Sequence, residues 1–232
     1  MEDRLSDVLP SGTTAAEFRA LVAADPSALT PEQVDVLRSV RDGERLAPHD
    51  ILQRALPQEA TRGYLANTAV RAPNGDLVFD PTRARGYTCA LRDVVALTTP
   101  RSVVEGLRLD YTDSGYEARN GRPPYRAEDD AIDVLRFPAT DVGTFRIPYG
   151  PVLGGRDEDP APFTGTGFTA SEEHVIPEYR TDEPVELPDG AEIWSLGRDG
   201  TSTLLGIFDG EVWVATDAGA RRAGIPDGRA ER

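Results

Sequence analysis

Residues 162–213 read PFTGTGFTASEEHVIPEYRTDEPVELPDGAEIWSLGRDGTSTLLGIFDGEVW. The stretch opens on hydroxyl side chains set among glycines (Thr164, Thr166, Thr169, Ser171) and continues as short apolar runs. Pro188-Asp189-Gly190, Arg198-Asp199-Gly200 and Asp209-Gly210 separate those runs, and each is a turn signal because Pro presets φ and Gly accepts positive φ. Strands are therefore predicted over 167–169, 185–187, 192–196, 203–208 and 212–215.

Upstream, Ala131–Pro138 (AIDVLRFP) reads as the strongest strand in the chain, and 143–147 as another. Asn74-Gly75 between 65–70 and 77–79 is a hairpin signal. Before residue 62 the pattern is helical. Thr13-Thr14 followed by Glu17 has capping-box spacing and predicts a helix over 15–24, and Thr30-Pro31 opens a second, ended by Asp42-Gly43. A third helix is predicted over 49–56, closed by Pro57. Thr99-Pro100 caps one more, over 100–109, after an apolar segment at 91–97. Residues 111–130 and 156–162 read as exposed loops. Helices first and strands later give an α+β chain: a helical annex (1–62), a main domain with a mixed, mainly antiparallel sheet (63–217), and a loose tail (218–232).

The chain has 232 residues and a formal charge of −15. That field repels phosphate backbones and disfavours general nucleic-acid binding. All 25 basic residues are arginine, which fits either a GC-rich codon bias or selection against lysine-directed modification. One cysteine, Cys89, allows no intrachain disulfide. No apolar run is long enough to span a membrane, and the first residues lack the basic and apolar regions of a secretory signal. The expected location is the cytoplasm, or outside the cell by a route without a cleaved signal.

Several familiar chemistries are missing. The only histidines, His49 and His174, lie in no metal-ligand spacing, so no metal is expected. There is no nucleophile elbow, no P-loop (the chain has no lysine) and no GxGxxG fingerprint. Cys89 reads as a buried structural thiol. What remains is an order of residues. Arg136 shares a strand face with Val134, while Leu135 and Phe137 take the other. Its guanidinium either meets solvent or lines a cleft, where it grips a phosphate or carboxylate. Thr169 and Ser171 share one side of an extended segment, and Glu211 follows Gly210. Glu192 and Glu178 are further acids, the latter in VIPEYR, where a loop salt bridge is the plainer use.

The order Arg136, Thr169/Ser171, Glu211 resembles the ADP-ribosyltransferase toxin family, over about residues 131–216. That family carries an Arg on its first core strand, a Ser-Thr-Ser motif on a later strand and a Glu near the end. This chain departs from it twice: the hydroxyl motif is Thr169-Ala170-Ser171, and Asp209 stands where the family has Glu or Gln two residues before the acid. The resemblance implies NAD as substrate. Arg136 would hold the pyrophosphate, Thr169 and Ser171 would steady the nicotinamide ribose, and Glu211 would stabilise the cation formed as nicotinamide leaves. Phe168, Tyr179 or Trp194 would stack on the nicotinamide, although core packing is the plainer use of each. The acceptor would be an unknown molecule, or water in an NAD glycohydrolase, and the enzyme would be the effector of a toxin system. The alternative is a non-enzymatic acidic protein of immunity or adaptor type that covers a basic partner surface, which the −15 charge suits.

Overall fold

A computed structural model describes residues 7–110, 117, 121–158, 164–169 and 171–225. In chain order its elements are α1 (Ala15–Ala23), α2 (Pro31–Gly43), β1 (Ile51–Leu56), α3 (Gln58–Leu65), β2 (Val70–Arg71), β3 (Leu77–Phe79), β4 (Arg83–Ala84), β5 (Tyr87–Ala90), α4 (Leu91–Val94), α5 (Pro100–Gly106), β6 (Ala131–Pro138), β7 (Tyr179–Arg180), β8 (Val185–Glu186), β9 (Glu192–Gly197), β10 (Ser202–Phe208), β11 (Trp213–Ala215) and α6 (Asp217–Ala223). The chain is α+β. Seven strands form one antiparallel sheet in the order β11-β10-β9-β6-β1-β5-β7, and two small ribbons, β2-β3 and β4-β8, flank it.

The two N-terminal helices form for the local reasons the sequence shows. Thr14 and Thr30 each accept a hydrogen bond from the backbone N–H three residues on, and Glu17 and Gln33 answer with capping-box bonds to the cap backbone. Their buried stripes (Phe18, Val22; Val34, Leu37, Val40) close on Leu153, Phe168 and Val175. The Phe18 and Phe168 rings meet edge to face with centroids 5.3 Å apart, so these helices support the segment carrying Thr164–Thr169.

The helix expected over 49–56 is instead β1, a strand at the heart of the sheet. It pairs with β6 from Ile51↔Pro138 to Leu56↔Asp133. The sequence ILQRAL hides this because both faces of the strand are covered, so period-two alternation is lost. Leu52 and Leu56 join Leu135, Phe137, Ile193 and Phe208 in a core beneath α3. Ala55 joins Cys89, Val134, Leu196 and residues of α4 and α5 in a second core on the other face. Pro57, expected to end a helix, instead N-caps α3. That helix takes in Leu65, where a hairpin strand was expected, and the hairpin around Asn74-Gly75 keeps only β2 and β3.

Smaller differences follow the same logic. The strand expected at 143–147 is a 3₁₀ turn, Val142–Thr144, with one bridge from Arg146 to Arg180, and 167–169 makes a single bridge through Phe168 to Pro177. The tail expected to be loose starts as α6. DAGARRA has no apolar stripe to announce it, and tertiary contacts hold it instead. Gly219 lies so close to β10 that an added Cβ would come within 1.8 Å of the Leu205 carbonyl oxygen. Arg222 forks onto the buried Asp133 carboxylate at 3.0 and 3.1 Å. Residues 226–232 of the tail, residues 111–116 and 118–120 of the loop expected over 111–130, and residues 159–162 of the loop expected over 156–162 lie outside the described residues.

In β1, Ile51 is 38% exposed whereas Leu52 is fully buried. Leu52→Ala is expected to cost about 2–5 kcal/mol in urea unfolding, as deletion of a core leucine does. Ile51→Ala is expected to cost under about 1 kcal/mol. Equal losses would contradict this strand assignment.

Candidate functional site: a polar row across the sheet

Antiparallel register sets side chains of opposed residues on the same face of a sheet. Arg136 on β6 stands opposite Gln53 on β1 and opposite Glu192 on β9. Gln53 in turn stands opposite Cys89 on β5, and Glu192 opposite Ile207 on β10. The β5–β7 register runs Tyr87↔Arg180, Thr88↔Tyr179, and one further step sets Glu178 beside Cys89. A single face therefore carries, in line, Glu178, Cys89, Gln53, Arg136, Glu192, Ile207 and Val214.

The face around Arg136 is covered, since its neighbour Val134 is fully buried. Arg136 is half-buried, and loss of water pushes the guanidinium pKa down while the Glu192 charge opposes that shift. Its Nε donates to Gln53 Oε1 at 2.8 Å. The terminal nitrogens Nη1 and Nη2 make no hydrogen bond to the described residues. Trp194, two residues beyond Glu192, lays its ring 5.6 Å from the guanidinium carbon and donates its indole N–H to Glu192 Oε2 at 2.7 Å. One Glu192 oxygen is thus fixed by the indole. Beyond it, Ile207 and Val214 are 39% and 56% exposed and extend the row as an apolar shoulder.

At the other end, Gln53 is only 1% exposed, and its amide nitrogen has no acceptor among the described residues. Glu178 is part-buried. Its backbone is tied by N–H donation to the Gly167 carbonyl, and removal of water pushes its carboxyl up to about 7. Cys89 between them turns its Sγ toward the Gln53 carbonyl at 3.3 Å. Burial raises the thiol strongly, and the charges of Asp93 and Glu178 add to the rise, so it stays protonated.

The other residues expected in the site lie elsewhere. Thr169 and Ser171 are buried and close the turn that leads back into 176–178. Thr169 Oγ1 accepts from Ile176 N at 3.3 Å, and Ser171 Oγ accepts from the N–H groups of Glu173 and His174. Their hydroxyls serve the backbone, next to Glu178 and past the β7 edge of the sheet. Glu211 is exposed in the β10–β11 turn, at the opposite edge, where Asp209 accepts from the N–H groups of Glu211 and Val212. Six strand steps separate the two edges, roughly 25–30 Å at ordinary strand spacing. The acid beside Arg136 is Glu192, and Glu178 lies three strand steps away on the same face.

A hollow of about 630 Å³ lies on the opposite face, lined by Phe137, Phe145, Arg146, Asp182 and Glu183 among others. Its cation is already engaged: Arg146 binds Asp157 at 2.8 and 2.9 Å and Asp182 at 2.8 Å. A smaller hollow of about 230 Å³ is lined by Arg122, Tyr125, Asp129, Asp130, Asp133 and Arg222. No family model, no curated protein and no solved structure matches this chain.

The raised Glu178 pKa has a consequence for stability. The folded state holds the proton up to about 7, while the free side chain releases it near 4.5. Folding is thus penalised increasingly as pH rises through that window, and the full penalty stands above it. Glu178→Gln is expected to stabilise the protein at pH 8 by on the order of 2 kcal/mol, discounted for part exposure. At pH 4 the gain should vanish. Thermal melts of both proteins at the two pH values check it, and a pH-independent difference would contradict the burial argument.

Proposed function

We propose that this chain is an NAD-cleaving enzyme of NAD glycohydrolase or ADP-ribosyltransferase type, with its site on the Arg136 face of the sheet. The observation that carries the reading is the half-buried guanidinium of Arg136, pinned at Nε by Gln53 with both terminal nitrogens open. A fork held that way matches two oxygens of a phosphate, and partial desolvation strengthens the pairing. It also supplies the local positive charge that an anionic substrate needs on a protein of net charge −15.

The groups beside it suit the rest of a dinucleotide. Trp194 and the exposed Ile207–Val214 shoulder offer apolar surface for a flat heterocycle. Glu192, steadied by the Trp194 indole, presents a carboxylate one strand step from Arg136. When nicotinamide departs, positive charge builds at the ribose C1′, and a fixed carboxylate stabilises it without reorganising. In this reading Glu192 takes the part that the sequence order gave to Glu211. Thr169 and Ser171 shape the 169–176 turn and touch no substrate.

A second reading, an acidic protein that covers a basic partner, draws on the exposed Val212 and Val214 along the β11 edge together with the net charge. It predicts complex formation that survives loss of Arg136.

Nicotinamide release from NAD by the purified chain separates the two. The wild type and Glu211→Gln should release it at similar rates. Arg136→Ala should lose about 10²-fold or more, mainly through KM, and Glu192→Gln should lose about 10²–10³-fold in kcat. No release by the wild type, or equal rates for all four proteins, rejects the enzyme reading.

A further inference from the structure

The hollow of about 630 Å³ on the face away from Arg136 has no part in the NAD reading. Its floor is apolar. The Phe137 and Phe145 rings lie there, tilted at 41° with centroids 6.4 Å apart, beside Pro138 and Val185. Its walls are the turn that follows β6 and the segment that joins β7 to β8. Arg146 is the strut between them. From the first wall its guanidinium reaches Asp182 on the second at 2.8 Å, and its backbone exchanges two hydrogen bonds with Arg180, at 2.8 and 2.9 Å. Asp141 stiffens the first wall by accepting the Gly143 N–H, and Val185 ties the second to β4 opposite Ala84. The fold itself thus holds the hollow in shape.

Charge decides what the hollow can take. Four carboxylates line it, Asp141, Asp182, Glu183 and Glu186, against one cation, Arg146. Asp157, from outside the lining, already binds that cation at 2.8 and 2.9 Å. Arg83 meets Glu186 at 3.3 Å with both side chains in solvent, where such a pair is weak. Glu183 is exposed and makes no hydrogen bond or ion pair to the described residues. Asp141 and Asp182 engage the described residues through Oδ1 alone. An anion would be repelled here, and a neutral apolar molecule would strip water from the carboxylates with nothing in return. A cation on an apolar stem meets both demands, because its methylenes cover the rings while its head meets the acids.

We propose that this hollow docks an arginine-bearing segment of a basic partner protein, with one guanidinium seated between the Phe145 ring and the Glu183 carboxylate. Arginine suits it better than lysine, since a planar guanidinium stacks on a ring and forks onto a carboxylate at the same time. The volume falls within the range of about 300–1,000 Å³ that takes a drug-sized ligand, so residues flanking the arginine enter with it. The net charge of −15 draws such a segment in from a distance, and the hollow fixes where it stops. The site is on the other face of the sheet from Arg136, so it stands or falls independently of NAD cleavage.

The test is a fluorescence-anisotropy titration of the full chain against a labelled Gly-Arg-Gly-Arg-Gly peptide blocked at both ends, with its lysine counterpart and spermidine as competitors. Glu183→Arg should weaken peptide binding about 10-fold or more. Glu105→Arg makes the same change in net charge on α5, which packs on the other face of the sheet, and should weaken it less than about threefold. Phe145→Leu keeps an apolar side chain but removes the ring face, and should weaken binding about 2–5-fold. The lysine peptide should compete less well than the arginine peptide, by about threefold or more. Equal losses in Glu183→Arg and Glu105→Arg would reveal diffuse attraction to an acidic protein and overturn the docking site, as would a wild type that does not bind the peptide. Spermidine that displaces the peptide as well as unlabelled arginine peptide does would give the hollow to a free polyamine and overturn the protein-segment assignment. If Phe145→Leu does not fold, the Glu183→Arg and Glu105→Arg pair decides.

Discussion

The pairing of β1 with β6 is the constraint on which the rest of the molecule depends. It runs over six opposed residue pairs, from Ile51↔Pro138 to Leu56↔Asp133. Both strands are covered on both faces, so a slip of one residue would move every side chain of β1 into the wrong core. Leu52 and Leu56 would leave the α3 core, and Gln53 would leave Arg136. The hydrophobic requirement that fixes the register thereby also fixes a polar contact. The Gln53–Arg136 bond is a by-product of where leucine must go, and the open guanidinium fork follows from that bond.

The polar row carries a stability penalty. Arg136 is partly desolvated, the Gln53 amide nitrogen is unpaired among the described residues, and the Glu178 carboxyl lacks a compensating charge. Apolar residues of similar volume in those places would be cheaper to bury. The contrast lies within the same strand: Asp133, also buried, is fully answered by the Arg222 fork at 3.0 and 3.1 Å. One acid on β6 is satisfied and locks α6 to the sheet, while the polar groups three residues away are left incomplete. Buried atoms without a partner among the described residues occur elsewhere as well, at Arg41 Nη1, Thr61 Oγ1 and Thr181 Oγ1, so it is the alignment of Gln53, Arg136 and Glu192 in one row that sets this face apart.

Much of the architecture was legible in the sequence wherever a local rule determined it. Thr14, Thr30 and Thr99 cap the helices that their spacing announces, and AIDVLRFP is the strand it reads as. The readings that failed concern elements that only tertiary contacts specify. ILQRAL lacks alternation because two cores claim it, and DAGARRA lacks a stripe because Gly219 packing and Arg222 pairing hold it. The site was half legible. Arg136, Glu192, Glu178 and Trp194 each stood out as residue types, yet linear order grouped Arg136 with Thr169, Ser171 and Glu211. Register groups it with Gln53 and Glu192 instead. Gln53 could not be found from the sequence once its segment was read as a helix, since only strand pairing brings it to the guanidinium.

The central claim is that NAD lies on the Arg136 face, against Trp194. The two tryptophans make this directly measurable, because Trp194 borders the fork whereas Trp213 is buried on the opposite face with its indole N–H bound to the Pro81 carbonyl at 2.7 Å. A ¹⁵N correlation spectrum recorded during NAD titration should show the Trp194 indole signal and the Arg136 Nε–H signal moving together toward saturation while the Trp213 signal stays still. A titration in which neither Trp194 nor Arg136 responds, or in which Trp213 alone does, would contradict the account.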